Sequence, residues 1–257
     1  MSTLNVTIVQ ADLAWHDAAG IREQFTAVIE SLPEPTDLIV LPEMFTTGFS
    51  MDAPDLAETM DGDSVTWMRD MAVKRNAAVC GSIIIADKQQ YFNRFICASP
   101  AGDLQCYDKR HLFRLADEQD HYAPGNELLT FDLKGWRICP MVCYDLRFPV
   151  WSRNRELYDL LLYVANWPDR RHHAWATLLR ARAIENLSYV AGVNRTGTDG
   201  NDIPYAGGSS IIDFLGEDLA NLEDHVGSAS ADLDLEKLTA FRDRFAFHKD
   251  ADNFTIT

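Results

Sequence analysis

Basic residues are scarce in this chain: 23 Lys and Arg stand against 39 Asp and Glu, a formal net charge of −16 over 257 residues. Such a surface repels phosphate backbones, so nucleic acid is not expected as a partner. No apolar run approaches the ~18 residues that cross a membrane, so no membrane partner is expected either. The opening "MSTLNVTIVQADLAW" has no basic start ahead of an apolar core, as a secretory signal would. The cytoplasm is the expected location, and its reducing conditions would leave the five cysteines free. No CxxC pair occurs, and the spacing of Cys139 and Cys143 is a poor zinc signature. His172 and His173 are adjacent, so on a helix they point about 100° apart and would not share one ion. Neither a metal nor a cofactor is expected. Low-complexity segments are missing too, and "SLPEPTD" (31–37) is too short to serve as a linker between domains. A single domain over 1–257 is the expectation.

What the chain does hold is an ordinary globular balance, 47% hydrophobic and 24% charged, arranged as alternating strands and helices. "LNVTIVQADL" reads as an opening strand, and "DAAGIREQFTAVIESL" as a helix with Ile21, Phe25, Val28 and Leu32 on one face. "SVTWMRDMAVKRN" is a second helix, with Ser64 as its expected N-cap. "RHHAWATLLRARAIENL" is the clearest helix, its face made by Trp175, Leu178, Leu179, Ala183 and Leu187, and "LEKLTAFRDRF" is a final one. Strands are expected at "DLIVLPE", "AAVCGSIIIAD", "QYFNRFICASP", "LQCYDK", "WRICPMV", "YDLLLYVAN", "SYVAGVNRTG" and "GGSSIIDF". Several of these are almost continuously apolar, as strands covered on both faces are. The fold class is therefore α/β, a layered sandwich with sheets inside and helices outside.

Three apolar runs end on a reactive residue: "LIVLPE" on Glu43, "LQCYDK" on Lys109 and "ICPMVC" on Cys143. Rigid strand ends under open loops are where such folds build active sites. A free thiol is mostly protonated at pH 7. A carboxylate beside it can take the proton as general base, and an ammonium can steady the anion. The same carboxylate can return the proton to a leaving amine, while the ammonium and a backbone N–H hold a tetrahedral oxyanion. That set suits acyl transfer from a carbon–nitrogen bond. Taken singly each residue has a plainer reading: a packed cysteine, a solvated glutamate, a lysine in the wet turn "DKRH". Cys80, Cys97, Cys106 and Cys139 lie inside apolar strands and are assigned to packing.

The segments "LPEMFTTGF" (41–49), "DKRHLF" (108–113) and "MVCYDLRFP" (141–149), with weaker matches at "LLLYVAN", "LLRARAIEN" and "GGSSIID", resemble the nitrilase superfamily of carbon–nitrogen hydrolases in the same order. The resemblance implies a four-layer α-β-β-α sandwich that assembles as a homodimer or larger even homo-oligomer. Its catalytic set falls on Glu43, Lys109 and Cys143, with thiolate attack, loss of ammonia and hydrolysis of a thioester acyl-enzyme. It further implies the backbone N–H of Tyr144 as second oxyanion donor. A second glutamate shortly before a Pro-Gly turn falls on Glu118 in "EQDHYAPG". "CYDLRFP" is similar to the omega-amidase-like members, which hydrolyse the terminal amide of short dicarboxylate monoamides such as 2-oxoglutaramate and 2-oxosuccinamate. The expected partners are thus a small-molecule amide and water. A carboxylate-bearing substrate calls for a cation in the pocket. Arg147, Arg170 and Arg195 are candidates, Arg147 with a structural ion pair as the alternative. Asn166, Trp167, Phe45, Phe113 and Tyr122 are candidates to shape the acyl pocket. Three rivals stay open at this point: a nitrilase or N-carbamoyl hydrolase, an acyltransferase, and a non-catalytic binding protein of the same fold.

Overall fold

The computed structural model describes residues 3–155 and 158–256. Its strands are β1 (Thr3–Gln10), β2 (Leu38–Val40), β3 (Ala78–Asp87), β4 (Gln90–Ala98), β5 (Leu104–Asp108), β6 (Phe131–Leu133), β7 (Trp136–Val142), β8 (Leu160–Val164), β9 (Tyr189–Val193), β10 (Thr196–Thr198), β11 (Pro204–Ala206), β12 (Ser210–Ile212), β13 (Asp218–Asn221) and β14 (Gly227–Asp234). The helices are α1 (Ala18–Ser31), α2 (Ala53–Leu56), α3 (Asp63–Arg75), α4 (Glu118–His121), α5 (His172–Asn186) and α6 (Leu235–Arg244).

Two six-stranded sheets carry the architecture, in the orders β14-β1-β2-β3-β4-β5 and β13-β12-β9-β8-β7-β6. Each has three parallel strands at its centre, β1-β2-β3 in one and β7-β8-β9 in the other, with antiparallel strands on both flanks. β10 and β11 form a separate small hairpin.

The strand period of two explains how one run of sequence serves two cores. In the first sheet Leu4, Val6, Ile8, Val40 and Cys80 point to the second sheet and share a core with Ile138, Met141, Leu161 and Val190. Val9, Ile39 and Val79, on the other face, pack against Ile21, Phe25 and Ile29 of α1 and Val65 and Met68 of α3. Trp175, Leu179 and Ala183 of α5 and Leu238 of α6 cover the second sheet from its far side. The layers therefore run helix, sheet, sheet, helix, the four-layer α-β-β-α sandwich. Among the described residues no helix is long and apolar enough to cross a membrane.

Local capping differs from expectation in one helix. Ser64 is not the cap of α3: Gly62 is, and Ser64 lies inside the first turn, its backbone N–H and hydroxyl both donating to the Glu58 carboxylate. The glutamate serves as cap from outside the helix. The buried face of α5 also differs. Leu178 is only half-buried, and Arg182 and Asn186 are buried beside Trp175, Leu179 and Ala183. Arg182 reaches back to donate to the Leu146 carbonyl at 2.6 Å, tying this helix to the turn after Cys143.

Candidate active site

Glu43 follows β2, Lys109 follows β5 and Cys143 follows β7, so the first two come from one sheet and the third from the other. The structure brings them together with Glu118, the first residue of α4. Lys109 Nζ donates to Glu43 Oε1 at 2.9 Å and to Glu118 Oε1 and Oε2 at 3.0 and 2.9 Å. All three side chains are sealed from solvent, with 0% of each exposed. Burial pulls the Lys109 ammonium down, but the Glu118 and Glu43 carboxylates outweigh it and hold Lys109 well above its ordinary value. Burial raises the Glu118 carboxyl, against the pull of Lys109. Two acids around one ammonium would be costly without further donors. Asn93, in the middle of β4, supplies one: its Nδ2 donates to Glu43 Oε1 at 2.8 Å and Glu118 Oε1 at 3.3 Å, while its Oδ1 accepts from Ser82. The Phe113 backbone N–H donates to Glu118 Oε2 at 2.6 Å.

Cys143 opens a 3₁₀ turn, Cys143–Arg147, with φ of +43°. A non-glycine residue in the left-handed region costs of order 1–3 kcal/mol and persists where its surroundings over-determine it. That bend lifts the thiol off the strand axis into a cavity of about 110 Å³, lined also by Phe49, Phe113, Asn166, Trp167 and Arg171. Cys143 is 8% exposed, and its sulfur faces the Asn166 carbonyl oxygen at 3.8 Å. Burial pushes its thiol up, and the Glu43 carboxylate pushes the same way; Lys109 pulls down. The resting sulfur thus carries its proton with an acceptor beside it. Lys109 is held in place by a backbone contact as well: Gly125 N donates to the Lys109 carbonyl at 2.9 Å, and a Cβ on Gly125 would meet the Asp108 carbonyl oxygen at 2.1 Å. The Pro-Gly turn presses on this loop because its glycine has no side chain.

Of the expected pocket residues, Asn166, Trp167, Phe113, Arg147 and Arg170 line the cavity, as does Tyr144. Phe45, Tyr122 and Arg195 do not. Phe45 is fully buried behind Glu43, edge-on to Phe25 and against Trp67, in the core beneath α1. Tyr122 is buried with Met44 and Ile84, its hydroxyl donating to the Ser50 carbonyl. Arg195 is fully buried, pairs with Asp12 at 2.6 Å and lies 4.8 Å over the Tyr205 ring. The structural ion pair is therefore a property of Arg195 and not of Arg147. Arg147 lies over Trp167 at 4.9 Å, and Arg171, next to the candidate Arg170 in "ANWPDRR" (165–171), lies over Phe113 at 5.0 Å. Arg94, Arg180, Arg182, Arg195 and Arg242 all pair with carboxylates, but among the described residues Arg147, Arg170 and Arg171 have no such partner. Burial, then Arg170 and Arg147, hold Arg171 below its ordinary value. Asn93 and Phe49 are further site residues that sequence reasoning misses. An asparagine in the otherwise apolar strand "YFNRFIC" is a readable sign of a buried polar contact. Cys106, expected in packing, is instead exposed and near Arg94 and Asp108. The reason is the strand period: in β5 it is Tyr107 that turns inward.

Comparison with known proteins identifies the family. The family described as carbon-nitrogen hydrolase matches residues 5–243. The chain is 48% identical to the omega-amidase YafV of Yersinia enterocolitica, covering 100% of both chains. It is 33% identical to the 2-oxoglutaramate amidase of Bacillus subtilis over 93% of each. The crystal structure of a Xanthomonas campestris CN-hydrolase superfamily protein, with an arsenic adduct in its active site, superposes with a TM-score of 0.98 at 48% identity, covering 100% of both chains. The chain belongs to the carbon–nitrogen hydrolase family, among its omega-amidase-like members.

Proposed function

We propose that this enzyme hydrolyses the terminal amide of short dicarboxylate monoamides, of the 2-oxoglutaramate and 2-oxosuccinamate type, through a thioester on Cys143. Glu43 takes the thiol proton as the sulfur attacks the amide carbon. The tetrahedral oxyanion is held by Lys109 Nζ and the Tyr144 backbone N–H. Glu43 then gives its proton to the leaving nitrogen, and ammonia departs. Water, with Glu43 again as base, opens the thioester and frees the dicarboxylate. Glu118 keeps the Lys109 ammonium charged and in place. Asn166 Oδ1, buried and without a hydrogen-bond partner, is available to an amide N–H.

The observation that carries this reading is the pairing of a buried Glu43–Lys109–Glu118 array behind the thiol with three unpaired guanidinium groups around the same small cavity. In so acidic a chain, unpaired arginines at one mouth favour an anionic substrate. Arg147, Arg170 and Arg171 are the proposed carboxylate readers. The names of the relatives support the same substrate class. The reading includes a cytoplasmic location, a single domain and a homo-oligomeric state, the last testable by light scattering.

The test is ammonia release from 2-oxoglutaramate, 2-oxosuccinamate and a neutral amide of equal length, with Cys143→Ala alongside. Release from the two acids, weak release from the neutral amide and none from the variant is the expected result. Equal turnover of acid and neutral amide overturns the substrate class. Activity in Cys143→Ala overturns the mechanism, and turnover of a nitrile or an N-carbamoyl amino acid alone would favour the rival chemistries.

A further inference from the structure

A buried carboxylate next to the nucleophile takes no part in the chemistry above. Asp145 lies two residues after Cys143 in the same turn and is 0% exposed. Its Oδ2 accepts from the Val142 backbone N–H at 3.0 Å, the residue just before the cysteine, and from the Tyr107 hydroxyl at 2.8 Å. Its Oδ1 accepts from the His111 backbone N–H at 2.9 Å and from His111 Nδ1 at 2.7 Å. Because an ionised carboxylate only accepts, Nδ1 carries the proton in this pair. Tyr107 in turn accepts from Trp151 Nε1 at 2.9 Å and Arg110 N at 3.3 Å, which leaves its own proton for Asp145. The His111 ring is stacked flat on Phe148, centroids 3.7 Å apart, and is partly open to solvent at 23%.

The placement of these donors matters more than their number. Tyr107, in β5 of the first sheet, and His111, on the loop that leaves it, bracket Lys109 by two residues on either side. Val142, the last residue of β7 in the second sheet, and Asp145, in the turn that follows, lie on either side of Cys143. No covalent bond sets the separation of thiol and ammonium across the two sheets. Three of the four hydrogen bonds on this one carboxylate, from the Tyr107 hydroxyl and the His111 backbone N–H and ring, cross between the two segments, and the fourth, from Val142, is local to the turn that holds Cys143 at positive φ.

We infer that Asp145, through His111 and Tyr107, is a positioning residue that fixes the Cys143 thiol against the Lys109 ammonium. The inference rests on Cys143 as nucleophile and adds a residue outside the Glu-Lys-Glu array. A misplacement of about 1 Å at a reacting centre can cost ~100-fold in rate, so the loss should fall on turnover and not on binding.

Two substitutions separate the bond from the packing. His111→Phe keeps the stack on Phe148 and removes the Nδ1 donor; His111→Asn keeps a donor near the Nδ1 position and removes most of the ring. His111→Phe is expected to lower kcat on 2-oxoglutaramate ~10- to 100-fold with KM within about twofold. Alkylation of Cys143 by iodoacetamide, which needs no amide substrate, should slow in step. His111→Asn should recover most of both. Unchanged kcat in His111→Phe overturns the inference, as does an Asn variant as slow as the Phe variant, or a loss confined to KM. If the wild type turns over no omega-amide at all, the substrate reading fails alone, and the alkylation rates still decide the role of Asp145.

Discussion

Asn166 holds Glu43 from both ends: its backbone N–H donates to Glu43 Oε2 at 2.8 Å, and its side-chain amide donates to the Glu43 carbonyl at 2.6 Å. Glu43 leaves β2 in one sheet and Asn166 leaves β8 in the other, so the Glu43 carboxylate is fastened across the gap between sheets. Asn166→Ala should lower kcat ~10-fold or more, since the carboxylate regains rotamer freedom and the buried Glu43 carbonyl loses its donor. Steady-state kinetics check this. A variant with wild-type kcat would show that Lys109 and Asn93 suffice to orient Glu43.

The buried array carries two carboxylates and one ammonium, so removing the ammonium leaves like charges face to face. Lys109→Met should destabilise the fold by about 3–5 kcal/mol. Adding Glu118→Gln should restore some of that loss by removing one of the two stranded charges. Urea unfolding of the two single variants and the double variant gives the coupling. Additive losses would mean that the two side chains do not share one electrostatic site.

Burial, and after it the Glu43 carboxylate, make the folded chain hold the Cys143 proton more tightly than the unfolded chain does. A group raised on folding contributes stability that is fully present below its unfolded pKa, about 8.5 for a thiol, and lost as pH rises toward the folded value. Unfolding free energy should therefore decline from about pH 8.5 upward, and decline less steeply in Cys143→Ala. Lys109 adds a decline of the same sign above about pH 10.4. Identical pH slopes for wild type and Cys143→Ala between about pH 8.5 and 10 would contradict the thiol's environment described above.

Thiol reactivity should not follow exposure. Cys106 is the exposed cysteine, yet burial is still the leading influence raising its thiol. Cys143 is nearly covered but has the Glu43 carboxylate and the Lys109 ammonium as neighbours, and the proposed chemistry makes the first its base. Mass mapping after brief iodoacetamide treatment at neutral pH should find Cys143 modified first and Cys106 second, with Cys80, Cys97 and Cys139 silent until unfolding. In Glu43→Gln the order of the first two should reverse.

Arg170→Leu and Arg171→Leu should each raise KM for 2-oxoglutaramate about 10-fold, the worth of one charge-assisted hydrogen bond. Neutral amides should be almost unaffected. Equal KM increases for acid and neutral substrates would assign Arg171 to packing on Phe113 and leave Arg170 without a role in reading the carboxylate.

The chemistry is readable where it interrupts an apolar strand. "LIVLPE", "LQCYDK" and "ICPMVC" each deliver a polar or reactive group at a strand end, and the fold places all three in one site. Pocket residues are less legible. Phe45 and Phe49 follow Glu43 by two and six residues, and only the path of the loop sends Phe45 into the core and Phe49 to the cavity. Arg195 is set apart from Arg171 by distant contacts, the Asp12 carboxylate and the Leu13 carbonyl, 183 and 182 residues away in the chain. β14 escapes a sequence reading because "GSASADLD" alternates exposed and half-buried positions with alanine and serine, so its period-two signal has almost no hydrophobic amplitude. Its place is set by pairing along the whole of β1.

The positive φ of Cys143 also limits what chemistry this scaffold can adopt by substitution. A serine fits that backbone as a cysteine does, so an oxygen nucleophile is reachable in one step. Threonine is not, because branching at Cβ makes the left-handed region a true outlier. Among hydroxyl nucleophiles the bend admits the primary alcohol and shuts out the secondary one, whatever the rest of the pocket would allow.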